Sequence, residues 1–199
     1  MYIKNMWKIF AIAVLFCANA LYAHPHVFVD VSVTALFEKS GFVGVHNHWV
    51  YDEVYSAAMD ASAEKDEAGL YTPQGQKRLE GEILTPLKKM NFYNYLLMGN
   101  SFLEAESIRN FKASFVNKKL VLDFDVGFTG GIQTEYTMLV LVVADLSNYI
   151  LMTADMENSD VSAPDEIDVE YFNDNLKGIS LFRGFPSDVE GLYIRYKKK

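Results

Sequence analysis

The chain has 199 residues, half of them hydrophobic, and carries 26 acidic against 18 basic side chains for a formal charge of −8. This length is enough for one domain with a proper core, and an acidic chain without a basic stripe is a poor nucleic-acid binder. The single cysteine, Cys17, lies near the start, so the rest of the chain has neither disulfides nor thiolate metal sites. Any metal ligands there must be imidazole, carboxylate, backbone or amine groups.

The beginning of the chain has the three parts of an export signal. Lys4 and Lys8 supply the positive start, and an apolar run and a small-residue exit follow. We expect cleavage after Ala23, so that 1–23 is a signal peptide and 24–199 is one periplasmic domain, soluble after export. Loss of the two lysines takes the formal charge from −8 to −10. Without cleavage, the same segment would be a short membrane anchor.

The first predicted elements are a hairpin and a helical region. Alternation of apolar and polar residues predicts strands over 26–36 and 42–51, joined by a three-residue loop, Lys39-Ser40-Gly41. Helical spacing follows over 53–66. It resumes at the Thr-Pro cap at 72–73 and runs to about residue 98, with a kink or restart at the second Thr-Pro, 85–86.

The second half of the sequence is mostly strand. Strands are predicted over 111–116, 120–128, 135–144 and 149–154. The third of these is expected to be central in its sheet because both its faces are apolar. The acidic segment 155–174 is predicted as an irregular solvated loop and 191–196 as a last edge strand. The expected fold is α+β: a single domain of mostly antiparallel sheet with an N-terminal hairpin and a helical insertion of two to three helices.

All four histidines fall between positions 24 and 48, as His24-Pro25-His26 and His46-Asn47-His48. After cleavage His24 would be the N-terminus, and its amine and ring could together chelate a first-row transition metal. Pro25 has no amide hydrogen, which excludes the square-planar site that needs a deprotonated amide at the second residue. What remains resembles the histidine brace of some periplasmic copper proteins. The other interpretation is a frayed terminus that binds metal incidentally.

The predicted hairpin register pairs positions whose numbers sum to 80 and places the apolar side chains on one face. On the other face His48 lies diagonal to Asp30, and Asp52 lies diagonal to His26, at roughly 7–8 Å between Cα atoms. In an undistorted hairpin His26 and His46 are roughly 25 Å or more apart. Two smaller His/Asp clusters therefore fit better than one four-histidine site.

We take His24 and His26 as the expected ligands of a divalent transition metal, with Asp30, His48 and Asp52 as candidates. The alternative for the hairpin histidines is an exposed polar position on a two-sided strand. The alternative for the two aspartates is hydrogen bonding at a strand edge or turn, against a direct or supporting role at a metal. No catalytic or nucleotide-binding motif accompanies these residues, so a non-enzymatic protein is expected.

Two stretches carry a resemblance to a known family. Residues 23–30 read Ala-His-Pro-His-Val-Phe-Val-Asp, and residues 49–56 read Trp-Val-Tyr-Asp-Glu-Val-Tyr-Ser. In these the chain resembles a bacterial exported family catalogued as domain of unknown function 1007. Members are labelled periplasmic components of uncharacterised ABC-type transport systems and are associated with nickel/cobalt-type efflux or uptake proteins. The resemblance implies metal handling and leaves the molecular role open.

The chain departs from this family in one respect. Members often carry an EF-hand-like stretch after the second motif. With Gly69 in the glycine position of such a loop, Ala68 and Gly75 occupy places that should supply oxygen ligands. Glu64 and Asp66 alone would hold calcium poorly. No calcium site is expected.

The leading hypothesis is a periplasmic accessory protein that binds Ni²⁺, Co²⁺, Cu²⁺ or Zn²⁺ and serves a membrane metal transporter. Imidazole and amine ligands suit several of these ions, so the residues do not choose among them. The first alternative is an interaction module whose hairpin docks on a membrane transporter, with the histidines incidental. A weaker alternative is a copper redox protein that uses His24 as a brace. The sequence leaves the oligomeric state open.

Overall fold

Eleven strands and two α-helices make up the described part of the chain. The computed structural model describes residues 27–147, 149–186 and 189–199. In chain order the strands are β1 (Val27–Glu38), β2 (Gly41–Tyr51), β3 (Asn94–Met98), β4 (Ser101–Phe102), β5 (Ser107–Val116), β6 (Lys119–Gly130), β7 (Thr137–Val143), β8 (Ile150–Ala154), β9 (Asp160–Ser162), β10 (Ile167–Asn175) and β11 (Glu190–Lys198). The helices are α1 (Glu53–Ser62) and α2 (Pro73–Leu79); α2 continues through a π-helical turn (Glu80–Leu84) into a 3-10 segment (Thr85–Tyr93), and a short 3-10 turn (Ser180–Phe182) precedes β11.

The strands form two sheets. The first has the order β5-β6-β2-β1-β8, with β9 also pairing with β1, and the second has the order β10-β11-β7-β3-β4. All neighbours are antiparallel except β8 and β9, which run parallel to β1. The expected α+β domain of mostly antiparallel sheet, with an N-terminal hairpin and a two-helix insertion, is confirmed.

The predicted register of the β1–β2 hairpin is confirmed over most of its length, with Val33 opposite Asn47 and Val31 opposite Trp49. The register changes by one position near the turn, where Leu36 faces Gly44 but Phe37 faces Phe42. Gly41 has φ +116° and lies against the backbone of β6's end, where a Cβ would collide. Because Glu38 pairs with Gly41, the connecting loop is only two residues long, one fewer than predicted. A β-bulge on β2 accommodates the extra residue.

The main core lies between the facing apolar sides of the two sheets. Val29, Val31 and Trp49 of the hairpin are buried there against Leu141 and Ile194 of the second sheet. Burial of side chains of this size stabilises a fold by roughly 1.5–3 kcal/mol each. The helical insertion contributes further side chains to the same core, namely Leu79, Ile83, Leu84 and Leu87.

The second sheet has apolar side chains on both faces. Val140 and Val142 of β7 point away from the main core and pack in a smaller cluster with Leu97, Leu176 and Phe182. This two-sided burial explains the apolar sequence of β7 and confirms that it is a central strand. The outer face of the first sheet is different, because most of its side chains are polar and many of them are at least partly exposed.

The helical region ends earlier than predicted. Asn91, Phe92 and Tyr93 have φ between +50° and +59°, which stops the helical turns and lets β3 begin at Asn94. The side chain of Asn91 stabilises this break by donating to the Leu103 carbonyl and accepting from the Ala105 N–H, both at 3.0 Å. The prediction of helix up to residue 98 was therefore wrong for its last five residues.

The acidic segment 155–174 was also wrongly predicted as a loop, because it contains β9 and most of β10. Asp168 and Glu170 of β10 face Lys197 and Arg195 of β11, and the cross-strand pairs balance the acidic side chains. β11 lies between β10 and β7 and is therefore not the edge strand that was predicted. Among the described residues, no helix combines the length and the apolar character needed to cross a bilayer.

Candidate functional site

His46 and His48 lie on the outer face of the first sheet. They are two positions apart on β2, and their neighbours Asn47 and Trp49 point inward and are fully buried. Alternate residues of a strand point to opposite faces, so both imidazoles project from the same side. The buried Asn47 is satisfied inside the core, where it donates to the Val45 carbonyl and accepts from the Trp49 indole N–H. The two histidines thus stand on a rigid central strand.

Each of these histidines faces an aspartate of β6. Nδ1 of His48 lies 2.7 Å from Oδ1 of Asp123, and Nδ1 of His46 lies 2.7 Å from Oδ1 of Asp125. The second oxygen of Asp125 accepts a hydrogen bond of 2.6 Å from the Asn110 side chain. Asn110 sits in a bulge of β5 with φ +55°, which aims its amide at this carboxylate. Asp125 is therefore held from two sides.

The pairing decides which ring nitrogen is available to a ligand. A carboxylate only accepts hydrogen bonds, so a neutral imidazole beside it carries its proton on Nδ1 and presents a lone pair at Nε2. Nε2 of His46 lies 3.9 Å from Oδ1 of Asp123, on the side of the ring that faces the neighbouring pair. The side chains of His46 and His48 are 38% and 45% exposed. Metal-binding histidines commonly donate their other ring nitrogen to a carboxylate in this way.

Asp52 caps helix α1. One of its oxygens accepts from the N–H groups of Val54 and Tyr55, and the other accepts from the N–H of Phe28 at 2.8 Å. Burial raises the pKa of the Asp52 carboxyl, but the backbone N–H groups of Phe28, Tyr55 and Val54 outweigh it and leave the pKa below its ordinary value. Asp52 thus has the turn hydrogen bonding that we considered as its alternative, and a ligand role for it stays a prediction.

The other candidate ligands divide into two groups. Asp30 is exposed on the outer face beside Val50, which places it diagonal to His48 as predicted. His24 and His26, and the expected signal peptide before them, lie outside the described residues. Within the described ranges, no group of three or more histidine, aspartate or glutamate side chains is arranged to hold a metal ion.

Sequence reasoning missed Asp123 and Asp125. Their strand was predicted from Leu122 and Phe124, which alternate with them and point into the core. The same alternation places both aspartates on the outer face, so the sequence did indicate which face they occupy. The sequence did not show that β6 pairs with β2, and therefore which side chains these aspartates meet.

The loop after α1 is stabilised by hydrogen bonds between its own residues. Oδ1 of Asp66 accepts from the N–H groups of Ala68 and Leu70 at 2.9 Å, and Gly75 packs directly on the carbonyl of Glu64. In an EF-hand the corresponding position would carry a bidentate glutamate. Gly75 instead brings the start of α2 against the backbone of Glu64, two residues past the end of α1.

The sequence matches the family described as "Protein of unknown function (DUF1007)" over residues 9–175, from ahead of β1 to the end of β10. An uncharacterized protein of Haemophilus influenzae is 23% identical over 141 residues, which is 70% of this chain and 66% of that relative. The family match covers most of the sequence and includes both stretches that carry the resemblance. The chain belongs to the DUF1007 family.

Proposed function

We propose that this chain is a periplasmic accessory protein that binds a divalent transition metal ion, Ni²⁺, Co²⁺, Cu²⁺ or Zn²⁺, in support of a membrane metal transporter. The observation that supports this most is the pair of histidines on β2. Each has Nδ1 held at 2.7 Å by an aspartate of β6, which leaves its Nε2 as the ring nitrogen available to a ligand. A side chain whose tautomer and orientation are fixed in advance loses less freedom when it binds a metal.

The N-terminal histidines supply the second part of the proposal. His24 contributes its α-amine and ring, and His26 contributes a second imidazole only one residue before β1 begins at Val27. His48 and Asp30 are the candidate ligands of the hairpin, and His46 joins them on geometric grounds. Asp52 is the weakest candidate because both of its oxygens already accept backbone hydrogen bonds. The proposal thus contains an N-terminal cluster and a hairpin cluster.

The test is calorimetric titration of Ni²⁺, Cu²⁺ and Zn²⁺ into mature protein that begins at His24. A matched sample carries one extra residue ahead of His24, which moves the amine away from the ring. We expect tight stoichiometric binding that the extra residue weakens by about tenfold or more, since it removes one chelating donor. Binding no better than millimolar in both samples would contradict the proposal.

A pair of variants separates the two clusters. Replacing His24 and His26 by Ala removes the N-terminal ligands, and replacing His46 and His48 by Ala removes those of the hairpin. Both variants are tested in cells that depend on the transporter for metal tolerance. The variant that lacks the ligands used in transport should lower metal tolerance while the amount of the protein stays unchanged. The control is Ser32→Ala with Thr34→Val, which alters the same outer face without removing an imidazole.

A second candidate function is a docking module for the same transporter. Phe28 of β1 and Leu151 of β8 are neighbours on the outer face and are 51% and 47% exposed. Exposed apolar neighbours of this kind are typical of interaction sites. Under this alternative, Phe28→Ser with Leu151→Ser abolishes transporter-dependent tolerance, and removal of the four histidines leaves it intact.

A further inference from the structure

Two rows of side chains run across β5, β6 and β2 on the outer face of the first sheet. The rows are Lys112–Asp123–His48 and Arg109–Asp125–His46. Each row places a cation, a carboxylate and an imidazole on three neighbouring strands, in the same order. Both rows have the same order, so the face presents two cations on β5, two carboxylates on β6 and two imidazoles on β2. A ligand that carries both a metal ion and anionic groups could contact the imidazoles and the cations together.

The imidazoles of the two rows offer two nitrogen donors. Oδ1 of Asp123 lies 2.7 Å from Nδ1 of His48 and 3.9 Å from Nε2 of His46, so both rings border the same carboxylate. First-row divalent ions take four to six ligands. Two imidazoles therefore fill only part of the coordination shell, and the residues opposite them on β1 are the short side chains of Ser32 and Thr34.

The cations are on β5 and the imidazoles on β2, two strands away. The backbones of these two strands are roughly 9–10 Å apart. Lys112 and Arg109 are exposed, and the guanidinium of Arg109 lies beside Gly127 on the same face. None of the ion pairs between described residues includes either side chain. Ammonium and guanidinium groups are the usual protein partners of ligand carboxylates, and both side chains are long enough to reach toward β6 and β2.

We infer that this face takes a divalent transition metal ion that is already held by an anionic chelator with carboxylate arms. The metal binds the two imidazoles above Asp123 and Asp125, and the carboxylate arms reach Lys112 and Arg109. The inference rests on the proposed function, since it names the form in which the metal arrives at the hairpin cluster. It does not involve the N-terminal histidines.

The experiment uses mature protein with His24→Ala and His26→Ala, so that the hairpin alone is observed. Ni²⁺–nitrilotriacetate, an anionic complex with two open positions, is compared with Ni²⁺–diethylenetriamine, a cationic complex, by calorimetry. We expect His46→Ala or His48→Ala to weaken binding of both by about tenfold or more, because one of two linked donors is lost. Lys112→Ala with Arg109→Ala should weaken binding of the anionic complex by about fivefold and leave binding of the cationic complex unchanged or slightly stronger, because two repelling charges are removed.

The control for charge is Lys88→Ala with Lys89→Ala, which removes two exposed cations from the helical insertion. This variant should bind both complexes as the parent does. If the Lys112/Arg109 variant binds the anionic complex unchanged, or if the His46→Ala and His48→Ala variants retain full binding, the inference is overturned. If free Ni²⁺ binds protein with an intact N-terminus but neither complex binds the hairpin, the inference fails and the proposed function stands. If free Ni²⁺ and both complexes all fail to bind, both are wrong.

Discussion

His46 on β2 and Asp125 on β6 are directly opposite in the sheet, and Nδ1 of the histidine lies 2.7 Å from Oδ1 of the aspartate. The neighbouring pair, His48 and Asp123, repeats the relationship two residues along. Both imidazoles are therefore oriented by side chains of β6, which lies outside the hairpin that carries the histidines. This dependence of the candidate site on β6 leads to the first prediction.

Replacing Asp123 and Asp125 by Asn should weaken metal binding at the hairpin by about tenfold to a hundredfold, although neither substitution removes an imidazole. An amide can present either oxygen or nitrogen to Nδ1, so it no longer enforces one tautomer. Metal titration of protein with intact histidines measures the effect. Unaltered affinity would mean that the carboxylates do not position the rings. Asn110→Ala should have a smaller effect in the same direction, because it removes one of the two partners of Asp125.

Asp52→Ala should reduce the free energy of unfolding by about 1–2 kcal/mol, since an N-cap residue is lost. The carboxylate accepts from three backbone N–H groups, including that of Phe28 on the neighbouring strand. Asp52→Asn should retain most of the stability at neutral pH. Urea unfolding followed by far-UV circular dichroism measures both variants, and equal stability of Asp52→Ala and the parent would contradict the assignment of a cap.

The same residue gives a pH dependence. Burial works against the charged form, but the backbone N–H groups of Phe28, Tyr55 and Val54 hold the pKa of Asp52 below its unfolded value. Because the unfolded state then binds more protons, the contribution of Asp52 is present above the unfolded pKa and is lost as the pH falls through the folded pKa. The stability difference between the parent and Asp52→Asn should therefore shrink on acidification below about pH 4. A difference independent of pH would argue against the charged cap.

Ser56→Ala should destabilise the protein by about 1–3 kcal/mol, because it leaves a buried backbone N–H without a partner. Oγ of Ser56 accepts from the N–H of Leu120 at 2.8 Å and donates to the carbonyl of Tyr51, which joins α1 to the start of β6. Ser62→Ala is a matched control on the same helix, since that hydroxyl only donates to a carbonyl one turn earlier. Thermal unfolding of the two variants should separate them clearly, and equal losses would refute the proposed role.

Gly75→Ala should destabilise the protein by about 1–3 kcal/mol, because its new methyl group would collide with the carbonyl of Glu64. Gly81→Ala lies in the following helical turn with open space around it, and it should be neutral or stabilise by up to about 1 kcal/mol. The comparison cancels the general effect of replacing glycine in a helical region. Chemical unfolding curves of the two variants provide the measurement. A Gly75→Ala variant as stable as Gly81→Ala would show that the two backbones are not in contact.

Local pattern was enough to predict much of the fold. Alternation along β1 and β2 gave the register, because a shift of one residue would have turned Val29 and Val31 to the outside. The cap at Thr72 and the proline after it gave the start of α2, where the Thr72 hydroxyl accepts from the Gly75 N–H. These features depend on neighbours in sequence or on one short turn, so the sequence itself contains them.

What failed were the elements whose conformation depends on distant partners. β10 carries so many acidic residues that its pattern is typical of a loop, and it is a strand because Arg195 and Lys197 lie opposite. Residues 94–98 have helical spacing but form β3. One reason is that the Asn91 side chain binds the backbone of the segment before β5 and so ends the helix. The other is that β3 pairs with β7. Tertiary contacts outweighed local preference in both places.

The candidate site divides along the same line. The sequence by itself determined that His46 and His48 share one face of a strand and that Asp30 lies diagonal to His48, because side-chain direction in a strand alternates by residue. Only the tertiary structure decided that β6 lies beside β2 and brings Asp123 and Asp125 to the two rings. The physical reason is that strand pairing over more than seventy residues of intervening chain depends on how both sheets bury their apolar faces. No local pattern contains that information.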